Sequence, residues 1–358
     1  MPSASFFLTA LDPLQLFTVL YGFFVANFVA FNGDICRDLA ADFLQLAEKQ
    51  KASYPVVTGH NFLGASLMLT GDIAEGRAHF NQGIALYDPA THRPLATRFG
   101  EDQRTVASFF RSIALWMLGY PEAALADNDH ALKNAREIGQ AGTLMIALGY
   151  ASHTPICCGN YASANVQLDE LVVLADEKSA PYWQALAVTH QGCVSALAGK
   201  AADAVSMISS GLTALQSMGV NVFMPLYLSS LARAYAELGQ FDHAWHRHGE
   251  AIMAMETAKE RWCEAEVSRI AGEITRLSPK PDAAKAEAYF ERALAVARKQ
   301  QAKSWELRAA MSMARLWRDQ GKRDDALELL APVYGWFTQG FDTLDLKEAK
   351  ALLDELRA

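Results

Sequence analysis

LSSLARAYAELGQFDHAWHRHGEAI, running from Leu228 to Ile252, reads as two helices joined by a tight turn. Leu231, Ala232 and Tyr235 precede Gly239, and Phe241, Ala244 and Ala251 follow it. Apolar and small residues three and four apart share a helix face, and a glycine just past a helical run supplies the left-handed cap that ends it. The block recurs along the chain. Gly119, Gly159, Gly199 and Gly239 stand 40 residues apart, and Gly321 lies 82 beyond, with Pro281 filling the missing place. Gly71 precedes Gly119 by 48 residues, and Gly33 precedes Gly71 by 38.

Two series of small residues flank these breakers. Five positions after each come Gly76, Ala124, Ala164, Ala204, Ala244, Ala286 and Ala326. Four residues further stand Phe80, Leu168, Ile208, Phe290 and Leu330, with Asn128 and His248 as exceptions. Ahead of the breakers lie Gly64, Ser112, Ser152, Gly192, Ala232, Gly272 and Ala314. A small residue on each side of a turn lets two antiparallel helices approach closely. One such hairpin cannot bury its own apolar stripe, so stacked neighbours must supply the core. The expectation is an all-α, tetratricopeptide-like, right-handed superhelical solenoid of about eight helix-turn-helix units over residues 1–343. Residues 344–358 are expected to form a C-terminal capping helix, with Leu346, Ala349, Leu353 and Leu356 as its apolar stripe and Asp345 and Glu348 as a capping box. DPATHRPLATRFGED, from Asp88 to Asp102, reads as a loop.

Length and composition agree. At 358 residues the chain exceeds one ordinary core, and with 51% apolar and 20% charged residues its composition is globular. A net charge of -8 argues against a nucleic-acid partner, because phosphate neutralisation needs a basic face. Cys36, Cys157, Cys158, Cys193 and Cys263 show no metal-ligand spacing and read as buried reduced thiols of a cytoplasmic protein. Pro13 to Asn32 is nearly long enough to cross a bilayer. Gln15, Asn27 and Asn32 interrupt it, no Lys or Arg precedes Arg37, and a buried first helix is expected, with a membrane tether as the alternative.

Chemistry is sparse. No phosphate-cradling G-x-x-x-x-G-K-[ST] loop, G-x-S-x-G elbow, H-E-x-x-H pair or dinucleotide fingerprint occurs. No catalytic residue, cofactor or metal is expected. His243, His246 and His248 read as a helix face, and His153 with Cys157 and Cys158 as a helix end. In the tetratricopeptide folds that this repeat resembles, the A helices, those before each turn, line a concave groove, and the same is expected here. Counted from the turns, its places before Pro281 are Glu266, Arg269, Glu273 and Arg276. Before Gly321 they are Arg308, Met311, Arg315 and Arg318, and Arg233 falls among them before Gly239. Earlier units put Phe109, Ile113, Trp116, Ile146 and Ile156 there. The groove is expected to be apolar toward the N-terminal half and arginine-rich toward the C-terminal half. Arginine forks suit carboxylate or phosphate groups, so the expected partner is a protein, a peptide or a small effector.

Leu231, Ala232, Tyr235, Gly239, Phe241, Ala244 and Ala251 occupy places like those of the tetratricopeptide-repeat superfamily, although the period here is about 40 rather than roughly 34 residues. Longer stretches, among them LYGFFVANFVAFNGD, IALYDPATHRPLATRFGED, QAKSWELRAAMSMARLWRDQGK and LAPVYGWFTQGFDTLDLKEAKALLDEL, resemble the C-terminal repeat region of bacterial class III adenylate or guanylate cyclase–ATPase–repeat regulators. The resemblance implies a sensory or partner-docking module in signal transduction, without the catalytic domain. It implies either a free-standing repeat protein or a fragment of a split regulator.

Overall fold

The computed structural model describes residues 13–358. The first twelve residues, assigned above to the solenoid, lie outside the described residues. Eight helical hairpins follow one another, and no strand occurs among the described residues. The hairpins are α1 (Pro13–Ala30) with α2 (Gly33–Lys49), α3 (Ser53–Thr70) with α4 (Ile73–Leu86), and α5 (Gln103–Met117) with α6 (Pro121–Ile138). The fourth has a broken first helix, α7 (Ala141–Ala151) and α8 (His153–Cys157), with α9 (Tyr161–Glu177). The break falls where Pro155 has no N–H to return to Ala151. Next come α10 (Pro181–Leu197) with α11 (Ala201–Ser217), α12 (Met224–Glu237) with α13 (Phe241–Ala258), α14 (Glu264–Leu277) with α15 (Ala283–Lys299), and α16 (Lys303–Asp319) with α17 (Arg323–Gly335). The last helix, α18 (Leu344–Arg357), covers the eighth hairpin with Leu346, Ala349, Leu352, Leu353 and Leu356.

Every member of both small-residue series is buried, and the approach they permit is measurable. A Cβ on Gly272 would lie 2.3 Å from the Phe290 ring, one on Gly192 2.7 Å from Ile208, and one on Gly64 2.7 Å from Phe80. In these three hairpins the large residue of the second helix therefore sits on the small residue of the first. Local caps set the boundaries: Asn32, Asp102, Asn160 and Asp282 each accept a backbone N–H three residues on.

Two local expectations need correction. Asp88–Asp102 is not a plain loop. It winds through short helical turns at Pro89–His92, Arg93–Leu95 and Ala96–Phe99, because Asp88 caps Ala90 and Phe99 buries its ring against Tyr21 and Tyr54. Nor do Asp345 and Glu348 form a capping box. Thr343 precedes α18 without a side-chain cap bond, and the two carboxylates turn to arginines of α16.

The solenoid winds onto itself. The first four A helices end in carbonyls without intrahelical partners, as any helix does, and chain from five units later satisfies them. Val29 C=O accepts from the amides of Asn221 and Val222, and Leu69 C=O from Arg261 and Trp262, at 2.8–3.2 Å. Trp116 C=O accepts from the Ser304 hydroxyl at 2.5 Å, and Cys158 C=O from the Leu344 amide at 3.2 Å. Rings fill the axis between the coils: Tyr150 meets Phe223 at 5.7 Å, Phe223 meets Trp262 at 5.3 Å, and Trp305 meets Trp116 at 4.6 Å. Trp262 and Trp305 themselves stand 6.5 Å apart.

Glu260 fastens two of the docking loops together. Its wholly buried carboxylate accepts the Phe223 amide at 3.1 Å and the Trp262 indole N–H at 2.7 Å, holding Phe223 at φ +65°. Burial pushes the Glu260 carboxyl up from 4.5 to about 8. The folded form thus holds a proton that the unfolded chain gives up near 4.5, and stability falls as pH rises between those values. Thermal melts at pH 6 and pH 9 are expected to show a smaller alkaline loss in Glu260→Gln than in the parent. Equal losses would mean that Glu260 is not the group responsible.

Candidate functional site

Two clefts, each of about 270 Å³, open on surfaces lined chiefly by A helices. The first lies among α1, α3, α5, α7 and α10. Phe24, Phe28, Phe62, Phe109, Tyr150 and Trp183 form much of its wall, with Ile146 and Val106. Aromatic and aliphatic side chains predominate there because five consecutive A helices present them inward. Glu101, from the segment between the second and third hairpins, also lines this cleft. Its Oε1 accepts from the Tyr21 hydroxyl and, at 3.5 Å, from Nε2 of Gln103, whose own Oε1 accepts from Asn61 Nδ2. The Tyr54 hydroxyl donates to the Glu101 carbonyl at 3.5 Å. Burial pushes the carboxyl up from 4.5 to about 7. Sequence reading passed over Glu101, since nothing in a loop carboxylate announces that five helices will enclose it.

Most of the arginines and acids expected in the groove meet at the second cleft. Arg233, Arg269, Glu273, Arg276, Arg308 and Arg315 line it, with Glu237, Asp345 and Glu348. Glu266 lies buried beneath Arg269, and Arg318 is directed instead to Asp319 and Glu355. The cleft is not a bare cationic surface. Arg269 forks onto Glu266 with both bonds at 2.7 Å, stands 3.6 Å from Glu273, and donates to Ser312 at 3.2 Å. Burial opposes charge on Glu266, but the adjoining Arg269 guanidinium outweighs it and holds the carboxyl down to about 2.

Arg308 is tied still more closely. It donates to Asp345 and to the Cys157 carbonyl, both at 2.8 Å, and its guanidinium lies 5.0 Å and 5.2 Å from the Trp116 and Trp305 ring centres. Arg233, Arg276 and Arg315 are about one-third exposed, and each makes one ion pair among the described residues, with Glu237, Glu273 and Glu348 respectively. Tyr150 belongs to the first cleft and Arg308 to the second, so the ring column stands between them. The inner face is apolar toward the N-terminal half and charged toward the C-terminal half, as two clefts on a filled axis rather than one open groove. Of the early apolar candidates, Phe109 and Ile146 line the first cleft, whereas Trp116 belongs to the column and Ile113 and Ile156 are buried in the core.

The other clusters are structural. His248 points inward, with burial lowering it to about 4, while His246 is mostly exposed beside Glu250 and His243 lies against Tyr235. No group of three or more potential metal ligands occurs among the described residues. His153 Nε2 stands 3.3 Å from Cys157 Sγ, and all five cysteines are buried free thiols. Burial pushes the Cys158 and Cys193 thiols up to about 12, away from the reactive thiolate. Ser152 bonds His190 at 2.9 Å, and His190 bonds Tyr227 at 2.7 Å. This resembles a nucleophile and base, but all three side chains are buried, and they link three consecutive A helices. No described helix is long and apolar enough to cross a membrane.

No family model matches the sequence, and no curated protein matches it. Solved structures do match in fold. A Rap protein complexed with competence and sporulation factor aligns over 84% of this chain and 80% of its own, at 13% identity and a TM-score of 0.58. The Rap conjugation gene regulator of plasmid pLS20, in complex with the Phr* peptide, aligns over 87% and 77%, at 10% identity and the same TM-score. A tetratricopeptide repeat protein from Parabacteroides merdae is a weaker likeness, at 14% identity, 77% and 98% coverage, and a TM-score of 0.42. Hairpin register, the buried small-residue series and the likeness in fold to the two Rap structures agree: the chain is a tetratricopeptide-like helical-repeat solenoid.

Proposed function

We propose that this protein is a non-catalytic binding module that takes an acidic protein or peptide segment at its charged cleft. The supporting observation is the state of Arg233, Arg276 and Arg315. They line one concave site, each spends part of its five-donor fork on a neighbouring carboxylate, and each stays partly exposed. An incoming carboxylate meets donors already oriented for it, which lowers the ordering cost of binding. The solved folds that this chain resembles include two Rap proteins with a bound factor or peptide, and peptide binding is a use that the same architecture supports there. A role as the sensory part of a cyclase- or ATPase-type regulator rests on the sequence resemblance alone.

The test leaves the fold-bearing Arg269 and Arg308 untouched. Arrays of acidic peptides probed with the parent chain and with Arg276→Glu/Arg315→Glu are expected to show a set bound at least about tenfold more weakly by the variant. Undiminished binding by a variant with an unchanged melting profile would remove the charged cleft from the proposal. The same chain is expected to release no product from ATP or GTP. Turnover above a boiled control would overturn the non-catalytic reading.

A further inference from the structure

We propose that the apolar cleft is a second, separate site, which binds a small organic amine with an aromatic-sized apolar body and pairs its ammonium with Glu101. The inference rests on the binding-module reading and names a ligand class for the cleft which that reading leaves unassigned.

Three observations carry it. At about 270 Å³ the cleft is close to the lower end of the small-molecule range, and its wall is mostly aromatic. An aromatic wall favours a cation over an anion wherever a ring turns its face to the ligand, because the ring quadrupole is negative there. The one acidic side chain lining it is that of Glu101. Tyr21 and Gln103 occupy Oε1, and among the described residues Oε2 accepts no hydrogen bond. Glu101 is partly exposed and its Oε2 has no protein donor, so a bound ammonium would supply a donor and an opposite charge together.

The titration of Glu101 sets the pH dependence. The groups around it are Tyr21 on α1, Tyr54 on α3, Asp102 and Gln103 beside it, Tyr150 on α7 and Tyr182 on α10. Burial raises all four tyrosines above their ordinary value, Tyr182 to about 12, so they stay neutral near pH 7. Asp102 is occupied by Tyr87, Thr105 and Asn134. The carboxyl of Glu101 loses its proton at about 7, and only the anion pairs with an ammonium. Affinity should therefore rise with pH up to that point, then level off while the amine remains protonated. Below it, affinity should fall by about tenfold per pH unit.

Phenethylamine, with phenethyl alcohol as its neutral counterpart, is a suitable probe pair, titrated calorimetrically into the full chain between pH 5 and pH 8.5. The amine is expected to bind more tightly than the alcohol at pH 8, and to approach it at pH 5. Glu101→Gln, which keeps an acceptor for Tyr21, is expected to weaken amine binding at pH 8 by roughly 30-fold or more while leaving the alcohol unchanged. Ile146→Trp, which fills the cleft, is expected to abolish both. Circular dichroism and thermal melts confirm that each variant folds.

Equal binding of amine and alcohol by the parent chain would overturn the assignment to a cation, as would amine binding indifferent to Glu101→Gln. Absence of binding by either probe would overturn the site itself. None of these results touches the acidic-peptide arrays, whose failure instead retires the charged cleft.

Discussion

Alanine at Gly159 is expected to destabilise the molecule by several kcal/mol, while alanine at Gly239, its equivalent two units later, costs about 1–2 kcal/mol. Both glycines end an A helix with positive φ, +78° and +73°. An L-residue in that left-handed conformation costs roughly 1–2 kcal/mol by sterics alone, and this share is common to both sites. The remainder differs. A Cβ on Gly159 would stand 2.3 Å from Leu344 Cβ, whereas one on Gly239 meets nothing within 4 Å. Two β-carbons cannot be separated by changing a rotamer, so the docked chain around Leu344 must move and its bond to the Cys158 carbonyl is put at risk. Overpacking of this kind adds about 1–3 kcal/mol. Gly119, whose Cβ would stand 2.4 Å from the Trp336 ring and 2.8 Å from Lys303 Cβ, should behave like Gly159, and Gly199 like Gly239. Urea denaturation of the four variants separates the classes by midpoint at constant slope. If all four fall together, the first coil does not dock on the second as described.

Arg308→Ala should be the most damaging substitution in the charged cleft, at about 3–5 kcal/mol, because it strands a buried partner. Asp345 would lose its ion pair, the Cys157 carbonyl its donor, and Trp116 and Trp305 the cation lying over them. Arg308→Lys should rescue little, since a point charge cannot serve both acceptors and the two rings at once. Arg308→Met with Asp345→Leu should recover part of the loss, as no charge is then left unpaired. A single-variant cost below about 1 kcal/mol, the range of exposed ion pairs, would show that the guanidinium is not a keystone of the fold.

Acid should attack the same cleft. Glu266 is held down to about 2 in the fold against 4.5 ordinarily, so the stability it contributes is present above the higher value. It is lost as pH falls from about 4.5 toward 2. Its partner Arg269 stays charged throughout, hence protonation of Glu266 leaves a buried cation to repel.

Particular residues show how far the sequence could be read. Gly272 and Phe290 are 18 positions apart across one turn, and their fit follows from local spacing. So do the hairpins, the buried small series and the inward face of the A helices, which placed six of the eight expected charged residues at one cleft. Glu266 and Arg318 departed: the first lies buried against Arg269, and the second turns to Asp319 and Glu355. The partners of these residues were not legible. Arg308 meets Asp345 two helices on, in α18, and the carbonyl of Cys157 more than a hundred residues earlier. Glu101 offered no pattern at all, since its environment is assembled from α1, α3, α5, α7 and α10 at once.

Determined by the sequence itself, then, are eight hairpins and the face each turns inward, because steric fit between helices joined by a short turn depends on residues within one repeat. The tertiary structure alone decided that the fifth following unit returns to cap each early A helix, that rings close the axis, and that two clefts of opposite character remain. Small rotations from one hairpin to the next accumulate over five units before they bring distant chain together, and no single repeat records their sum.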